Sequence, residues 1–367
     1  MSDARQYFSL SSPLRLRHGG VLDNATLAFE TWGERNADDS NTVLICTGLS
    51  PSAHVASSAA DPCSGWWEDM VGSGKPIDTD RWFVVCYNAL GSCFGSTGPA
   101  SADPSTGEPY RLDFPMLTLE DNASVGALLL DHLEIKQVAA VVGPSMGGMT
   151  ALAFAMMHAD RVRHLVSISS AARAMPFAIA LRSLQRELVR SDGQWQEGHY
   201  DHDSVPVAGM RLARKLGMVT YRSADEWRHR FGRERISQSA SSGEMFGPEF
   251  EVESYLQAHA NKFTGAFDPN CYLYLSRAMD LFDAAEHGGS LAAGIGLLGI
   301  DSALVMGVHT DFLFPFWQQQ ELADLIGDAG IHVTLEALDS IQGHDSFLVD
   351  MDRFRPPMSA YMAGIET

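Results

Sequence analysis

The residues best suited to chemistry are Ser145 and the glycines around it, which together read G-x-S-x-G at 143–147. A short apolar run of β-forming residues precedes the motif at 137–142, and an apolar helix-forming run follows at 148–157. Strand, sharp turn and helix in this order hold a serine hydroxyl at the top of a sheet, near the positive end of the helix. The glycines allow the chain to pass close to its neighbours there. The pattern therefore predicts that Ser145 is a nucleophile.

A nucleophilic serine needs a histidine as base and an acid that orients the histidine. The strand–turn–helix motif predicts an α/β-hydrolase fold, in which the acid and then the base follow the serine along the chain. Asp311 and His344 each come directly after a predicted late strand, where catalytic loops of such sheets lie. We therefore predict a triad of Ser145, Asp311 and His344. His309 is a weaker alternative base, because it follows the earlier strand and precedes the acid by two residues.

Acyl transfer to serine also requires two backbone N–H groups that stabilise the oxyanion of the tetrahedral intermediate. One donor belongs to the residue after the nucleophile, which is Met146. The other is expected in the loop at 47–51, directly after an early predicted strand. The alternative interpretation of this loop is a turn of Gly, Ser and Pro residues without a chemical role.

Further segments, in order along nearly the whole chain, resemble the homoserine/serine O-acyltransferases of the α/β-hydrolase superfamily. The matching segments are 29–33, 65–67, 88–99, 145–149, 253–256, 267–270, 311–315 and 343–345. The resemblance implies a mostly parallel sheet flanked by helices, with an inserted helical cap. It also implies transfer of an acyl group from acyl-CoA to a hydroxy amino acid through a serine acyl-enzyme, in cysteine or methionine biosynthesis.

The loop at 47–51 bears on which amino acid accepts the acyl group. Gly48, Leu49, Ser50 and Pro51 resemble the serine O-succinyltransferase branch, whereas homoserine O-acetyltransferases usually carry Leu-Thr-Gly here. The resemblance places the second oxyanion donor at Leu49 and implies succinyl-CoA and L-serine as substrates. One methylene is worth only about 1–3 kcal/mol, so a loop stiffened by Pro51 predicts moderate discrimination. Homoserine as acceptor, acetyl-CoA as donor and a plain esterase stay open as alternatives.

The resemblance also assigns substrate-binding residues. Arg182 matches the arginine that meets the distal carboxylate of a succinyl group, and a guanidinium suits a bidentate carboxylate contact. Its alternative is a solvated arginine that shares an exposed helix face with Arg186. Arg214 and Tyr221 would hold the carboxylate of the amino acid, and Asp345 its ammonium. The alternatives are a surface charge for Arg214 and a helix N-cap for Asp345.

The 367 residues predict one α/β core, 1–170 and 294–367, with a helical cap at 171–293 inserted between core strands. The cap includes a turn at 241–243 and a polar loop at 199–203, which lacks the spacing of a metal site. No metal is expected. Strands are predicted at 26–32, 42–46, 82–86, 163–169, 302–308 and 331–335, and a helix at 120–133.

Composition argues against several functional classes. The net charge of −20 disfavours nucleic acid and acidic membrane surfaces as partners, and no apolar run reaches the ~18 residues of a membrane span. The first residues carry no secretion signal, and five cysteines without a CxxC pair indicate a reducing compartment. We expect a cytoplasmic homodimer that uses acyl-CoA and a small hydroxy amino acid and needs no cofactor.

Overall fold

The fold is built on an eight-stranded sheet in a computed structural model that describes residues 4–201, 204–237 and 245–366. The described strands are β1 (Gln6–Ser9), β2 (Leu14–Arg15), β3 (Val21–Leu22), β4 (Thr26–Trp32), β5 (Thr42–Cys46), β6 (Val71–Gly72), β7 (Ile77–Asp78), β8 (Phe83–Tyr87), β9 (Val138–Pro144), β10 (Val162–Ile168), β11 (Ser302–Val308) and β12 (His332–Leu338). The main sheet has the order β1-β4-β8-β5-β9-β10-β11-β12, while β2-β3 and β6-β7 form two small pairs.

Six neighbouring strands of the main sheet, from β8 to β12 in its spatial order, run parallel, and β4 and β1 complete one edge in antiparallel pairing. The central strands β5, β9, β10 and β11 are buried along almost their whole length. Continuous apolar burial is typical of a parallel sheet that helices cover on both faces. The carboxyl ends of these strands therefore meet at one edge, where the loops that follow them can form a site.

Helices cover the sheet and form the segment between β10 and β11. They are α1 (Leu119–His132), α2 (Met146–Met157), α3 (Pro176–Arg190), α4 (Val207–Tyr221), α5 (Ala224–Phe231), α6 (Glu251–Thr264), α7 (Pro269–Leu281), α8 (Leu291–Ile295), α9 (Phe316–Asp328), α10 (Ser346–Val349) and α11 (Met351–Gly364). Helix α1 begins with a capping box between Thr118 and Asp121, and α2 is buried over nearly its full length.

The described chain between β10 and β11 is helical and contributes no strand to the main sheet. Helix α3 packs against α4 and α7, and α4 packs against α6. This segment contains the cap predicted at 171–293, whose boundaries stay a prediction. The turn predicted at 241–243 and the end of the polar loop, His202 and Asp203, lie outside the described residues.

The predicted strands and helix are present, with ends displaced by a few residues. The strand predicted at 82–86 is Phe83–Tyr87, and the one predicted at 331–335 extends to Leu338. The edge strand Gln6–Ser9 was not predicted, because it is short and largely exposed and so has no apolar periodicity. None of the helices in the described ranges combines the length and apolar character of a membrane span.

Candidate active site

Ser145 lies in a sharp turn between β9 and α2. Its backbone has φ 54° and ψ −123°, a conformation that non-glycine residues seldom adopt. A Cβ atom on Gly143 would lie 2.0 Å from the Gly147 carbonyl oxygen, and one on Gly147 would lie 2.1 Å from the Cys46 carbonyl oxygen. The turn therefore requires glycine at both positions, because α2 begins in direct contact with the neighbouring strand.

The side chains of Ser145, His344 and Asp311 form one hydrogen-bonded chain. The Ser145 hydroxyl lies 2.8 Å from His344 Nε2, and His344 Nδ1 lies 2.7 Å from Asp311 Oδ2. The other oxygen, Asp311 Oδ1, accepts hydrogen bonds of 2.9 Å from the backbone N–H groups of Leu313 and Phe314. The carboxylate is thereby fixed, and it holds the imidazole in the tautomer that accepts the serine proton.

The electrostatics of His344 suit a general base. Burial alone would lower the pKa of His344, but the charge of Asp311 and its hydrogen bond, together with the charge of Asp345, raise it above the ordinary value. A raised pKa makes the imidazole a stronger proton acceptor from a serine hydroxyl. The alternative base, His309, is exposed, and its ring packs against Phe316 instead.

A cavity above Ser145 brings the predicted binding residues together. Its lining includes the predicted catalytic residues Ser145 and His344 and the predicted binding and specificity residues Gly48, Leu49, Ser50, Pro51, Arg182, Arg214, Tyr221 and Asp345. The loops that carry Leu49, Ser145 and His344 follow the carboxyl ends of β5, β9 and β12, which explains why distant segments converge here. Met146 is the first residue of α2, and its side chain is fully buried beneath the turn.

Arg182 is buried beside a second arginine, and both pair with the same carboxylate. Arg182 Nε lies 2.5 Å from Asp280 Oδ1, and Arg186 Nη2 lies 2.6 Å from Asp280 Oδ2. The two terminal nitrogens of Arg182 are buried and have no hydrogen-bond partner among the described residues. One carboxylate thus faces two guanidinium groups, and the pocket retains a positive charge. The alternative of a solvated helix face for Arg182 is wrong.

Arg214 and Tyr221 lie two turns apart on the same face of α4 and line the same cavity. The Arg214 guanidinium stacks 4.4 Å from the centre of the Phe263 ring and 5.8 Å from that of Tyr221. Its Nε is buried and has no partner in the described part of the chain. Burial raises the pKa of Tyr221, so the hydroxyl stays protonated and can donate a hydrogen bond. These groups can bind a small anion between them.

Asp345 also lines the cavity, where its carboxylate is partly compensated. Burial raises its pKa, while the charges of Arg222, His344 and Arg214 act in the opposite direction. Asp345 Oδ2 lies 3.1 Å from Arg222 Nε, and its side chain makes no cap hydrogen bond to α10. A cationic group of a ligand could therefore bind Asp345 from the cavity side.

Sequence reasoning missed several residues of this site. Arg222, which pairs with Asp345, has no signal in the sequence, because the contact depends on the end of α4 meeting the loop after β12. Trp66 lines the cavity and lies in the matching segment 65–67, which was the signal available for it. The remaining unpredicted lining residues are Pro144, Gln185, Thr220, Tyr272, Met279, Leu313, Phe347 and Leu348. Within the described ranges no group of three or more His, Cys, Asp or Glu residues could hold a metal ion.

Comparison with known proteins identifies the family. Residues 41–335 match the family model of the alpha/beta hydrolase fold. A serine O-succinyltransferase of Stenotrophomonas maltophilia (strain K279a) is 55% identical to this chain, over 97% of each protein. Another, of Litchfieldella anticariensis, is 54% identical over 99% of each. The chain belongs to the serine O-succinyltransferase family of α/β-hydrolase-fold proteins. The predicted family is therefore confirmed.

This member of the serine O-succinyltransferase family is structurally similar to both transferases and hydrolases. Homoserine O-acetyltransferase from Bacillus anthracis is similar with a TM-score of 0.89 and 25% identity, covering 99% of this chain and 98% of that one. Esterase E22 gives a TM-score of 0.88 and 26% identity over 98% of this chain and 99% of that one. The predicted fold is confirmed. Because the same fold supports several reactions, the pocket must distinguish among them.

Proposed function

We propose that this protein transfers a succinyl group from succinyl-CoA to the hydroxyl of L-serine through an acyl-enzyme on Ser145. The observation that carries the proposal is the buried guanidinium of Arg182, a residue that lines the cavity above Ser145 and whose two terminal nitrogens have no hydrogen-bond partner among the described residues. The distal carboxylate of a succinyl group supplies the missing counter-ion, whereas an acetyl group has none. The names of the relatives support serine as the acceptor.

In the first half-reaction, Ser145 Oγ attacks the thioester carbonyl carbon and its proton passes to His344 Nε2. Asp311 stabilises the resulting imidazolium, and the backbone N–H groups of Met146 and Leu49 stabilise the oxyanion. The carbon–sulfur bond then breaks. The CoA sulfur takes the proton from His344 and leaves, and the succinyl group remains on Ser145 as an ester.

In the second half-reaction, the hydroxyl of L-serine gives its proton to His344 Nε2 and attacks the ester carbonyl. Arg214 and Tyr221 hold the carboxylate of this amino acid, and Asp345 holds its ammonium. The bond to Ser145 Oγ breaks, and that oxygen regains the proton from His344. The products are O-succinyl-L-serine, for cysteine synthesis, and a free enzyme. No cofactor is needed beyond the CoA thioester.

The loop after β5 supports the choice of a short acceptor. The ring of Pro51 lies against Gly48, whose added Cβ would be 3.7 Å from Pro51 Cδ. The carbonyl oxygen of Pro51 accepts a 3.1 Å hydrogen bond from the buried Asn88 side chain, so the loop is held in place. We expect a loop fixed in this way to favour serine over the longer homoserine by about 1–3 kcal/mol.

A panel of serine and homoserine against succinyl-CoA and acetyl-CoA tests the proposal, with CoA release and product mass as readouts. We expect the highest kcat/KM for succinyl-CoA with serine, and a burst of one CoA per active site when succinyl-CoA is mixed with enzyme alone. Ser145→Ala should show neither burst nor turnover while it keeps the fold. A preference for homoserine or acetyl-CoA would reassign the acceptor or the donor, and CoA release unaffected by any amino acid would indicate a hydrolase.

We also propose that the protein is a cytoplasmic homodimer. All five cysteines are free, and three of them are buried, which supports a reducing compartment. Light scattering after size exclusion should give a mass near twice the 39.9 kDa of one chain. A mass of a single chain at micromolar concentration would contradict the dimer.

A further inference from the structure

Positive charge is concentrated in one stretch of an otherwise acidic chain. Between residues 207 and 235 there are eight Lys and Arg but only three Asp and Glu, a net charge of +5, whereas the whole chain has −20. This stretch contains α5 and α4, and α4 contributes Arg214 and Tyr221 to the cavity above Ser145. An anionic ligand that approaches the protein would therefore be attracted to this face and repelled by most of the remaining surface.

A surface groove lies on this face, here called the α5 groove. Its lining is Arg222, Glu226, His229 and Arg230 on one side and Ile341, Gln342 and Val349 on the other. His229 and Arg230 are exposed, and so are Ile341 and Val349. The groove thus combines guanidinium and imidazole groups with an accessible apolar wall.

The α5 groove adjoins the lining of the cavity above Ser145. Arg222 of the groove lies 3.1 Å from Asp345 of the cavity. Leu348 of the cavity and Val349 of the groove are consecutive, and both are exposed. An extended ligand that lies over the exposed Leu348 and Val349 would therefore connect the groove with the cavity.

The guanidinium groups of the α5 groove pair with Glu226 and Asp345, and further cations surround them. Glu226 is shared between Arg222, at 3.7 Å, and Arg230, at 3.5 Å. His259 of α6 responds to the excess of positive charge: burial lowers its pKa, and the charges of Lys262, Arg230, Arg214 and Arg222 lower it further. Cations from several helices therefore act on the same region, and a bound anion would relieve their repulsion.

The surface next to the cavity residue Leu313 has the reverse character. Phe312, next to the cavity residue Leu313, is in ring contact with the exposed Phe177 at 6.1 Å. The adjacent helix α9 carries three acidic residues and no basic ones, namely Glu321, Asp324 and Asp328. Glu321 is paired with Arg173 at 3.2 Å, but the exposed Asp324 and Asp328 disfavour phosphate groups there, and the α5 groove is the more favourable surface for a highly anionic donor.

We propose that the α5 groove binds the phosphates of the CoA nucleotide, while the pantetheine arm lies along Ile341, Val349 and Leu348 and directs the thioester to Ser145. This proposal rests on the proposed use of a CoA thioester. Arg230 presents a planar fork of N–H donors to the phosphate oxygens, and His229 adds a further donor. Arg222 remains engaged with Asp345 and contributes its charge.

A truncated donor distinguishes binding in the α5 groove from the reaction at Ser145. The succinyl thioester of N-acetylcysteamine has the same reacting group as succinyl-CoA but no phosphate. We expect the double variant His229→Gln with Arg230→Gln to raise KM for succinyl-CoA tenfold or more, with kcat nearly unchanged and both parameters unchanged for the truncated donor. Arg228→Gln is the matched control: it removes one charge from the same exposed helix but lies outside the groove, and it should alter neither donor.

Calorimetric titration with CoA alone measures the affinity of the enzyme for CoA in the absence of turnover. Wild type and Arg228→Gln should bind CoA equally, and the double variant at least tenfold more weakly. Equal CoA binding by wild type and the double variant would overturn the proposal, as would an equal rise of KM for both donors. If wild-type enzyme transfers succinyl from neither donor, the proposed function fails, and the titration still decides whether the groove binds CoA.

Discussion

The pocket assigns separate tasks to individual side chains. Ser145, His344 and Asp311 form the hydrogen-bonded chain described above, here called the relay, and its geometry suits acyl transfer to any acceptor. The esterase neighbours have the same overall fold. We expect the charged groups that line the cavity around the relay, Arg182 and Asp345 among them, to distinguish one substrate from another. Changes to the relay should therefore reduce all reactions together, whereas changes to the charged groups should alter the preference among substrates.

The raised pKa of His344 predicts the pH dependence of the rate. The base must be neutral to accept a proton, so kcat/KM should rise with pH through an apparent pKa above the ordinary 6.5 of histidine. Asp311→Asn removes the charge that raises this pKa and leaves the burial that lowers it, so the apparent pKa should fall.

The rate of Asp311→Asn should decrease about 10³–10⁴-fold, and His344→Ala should decrease it at least as much. Normal turnover in Asp311→Asn would mean that the acid lies elsewhere.

Substitution of Arg182 should change the choice of donor. Arg182→Leu leaves the succinyl carboxylate without its charge-assisted hydrogen bond, which is worth about 1.5–3 kcal/mol. We expect kcat/KM for succinyl-CoA to fall roughly ten- to a hundredfold, while that for acetyl-CoA holds or rises. Arg182→Lys, which keeps the charge but loses the planar fork, should lie between. Equal losses with both donors would show that Arg182 supports the fold of the cap instead.

At the scale of elements, the loop after β5 is held by His54, whose two ring nitrogens both make hydrogen bonds. His54 Nδ1 lies 2.8 Å from Glu30 Oε2, and His54 Nε2 lies 2.9 Å from the Cys63 carbonyl oxygen. Both partners are acceptors, so both ring nitrogens must donate and the imidazole must be protonated. The backbone of His54 also bonds to Trp66, which lines the cavity. This ion pair therefore anchors the loop that carries Leu49.

The contribution of His54 to stability should depend on pH. Burial lowers the pKa of His54, but its bonds to Glu30 and to the Cys63 carbonyl, with the charges of Glu30 and Asp61, raise it above the ordinary value. A raised folded-state pKa stabilises the protein below the unfolded pKa of about 6.5, and this contribution is lost as the pH rises through the folded value. In urea unfolding, His54→Gln should lose more free energy of unfolding at pH 6 than at pH 9. An equal loss of unfolding free energy at both pH values would show that the ion pair of His54 is not its cause.

At the scale of the whole molecule, charge should set the response to salt. The chain carries 46 acidic and 26 basic side chains, so the excess negative charges of the folded protein repel one another at neutral pH. Raising NaCl from 20 to 300 mM should screen this repulsion and raise the melting temperature at pH 7.5. Near pH 5, where carboxylates and histidines take up protons, the same addition should have a smaller effect. A salt effect of equal size at both pH values would contradict this origin.

The sequence by itself determined the parts of the site that are local or ordered by topology. The elbow at 143–147 consists of consecutive residues, and its glycines are required by contacts of the turn with itself and with β5. Asp311 and His344 could be located because each follows a parallel strand whose apolar composition is readable, and such strands deliver their loops to one edge of the sheet.

Only the tertiary structure decided how the charges of the pocket are paired. Arg182 and Arg186 fit a solvated helix face as well as a buried one until α7 brings Asp280, 98 residues away, between them. Likewise, Arg222 meets Asp345 because the end of α4 packs beside the loop after β12. Burial and ion pairing depend on which elements come into contact, and no local periodicity encodes that. The charge available to a substrate is therefore a property of the packed molecule.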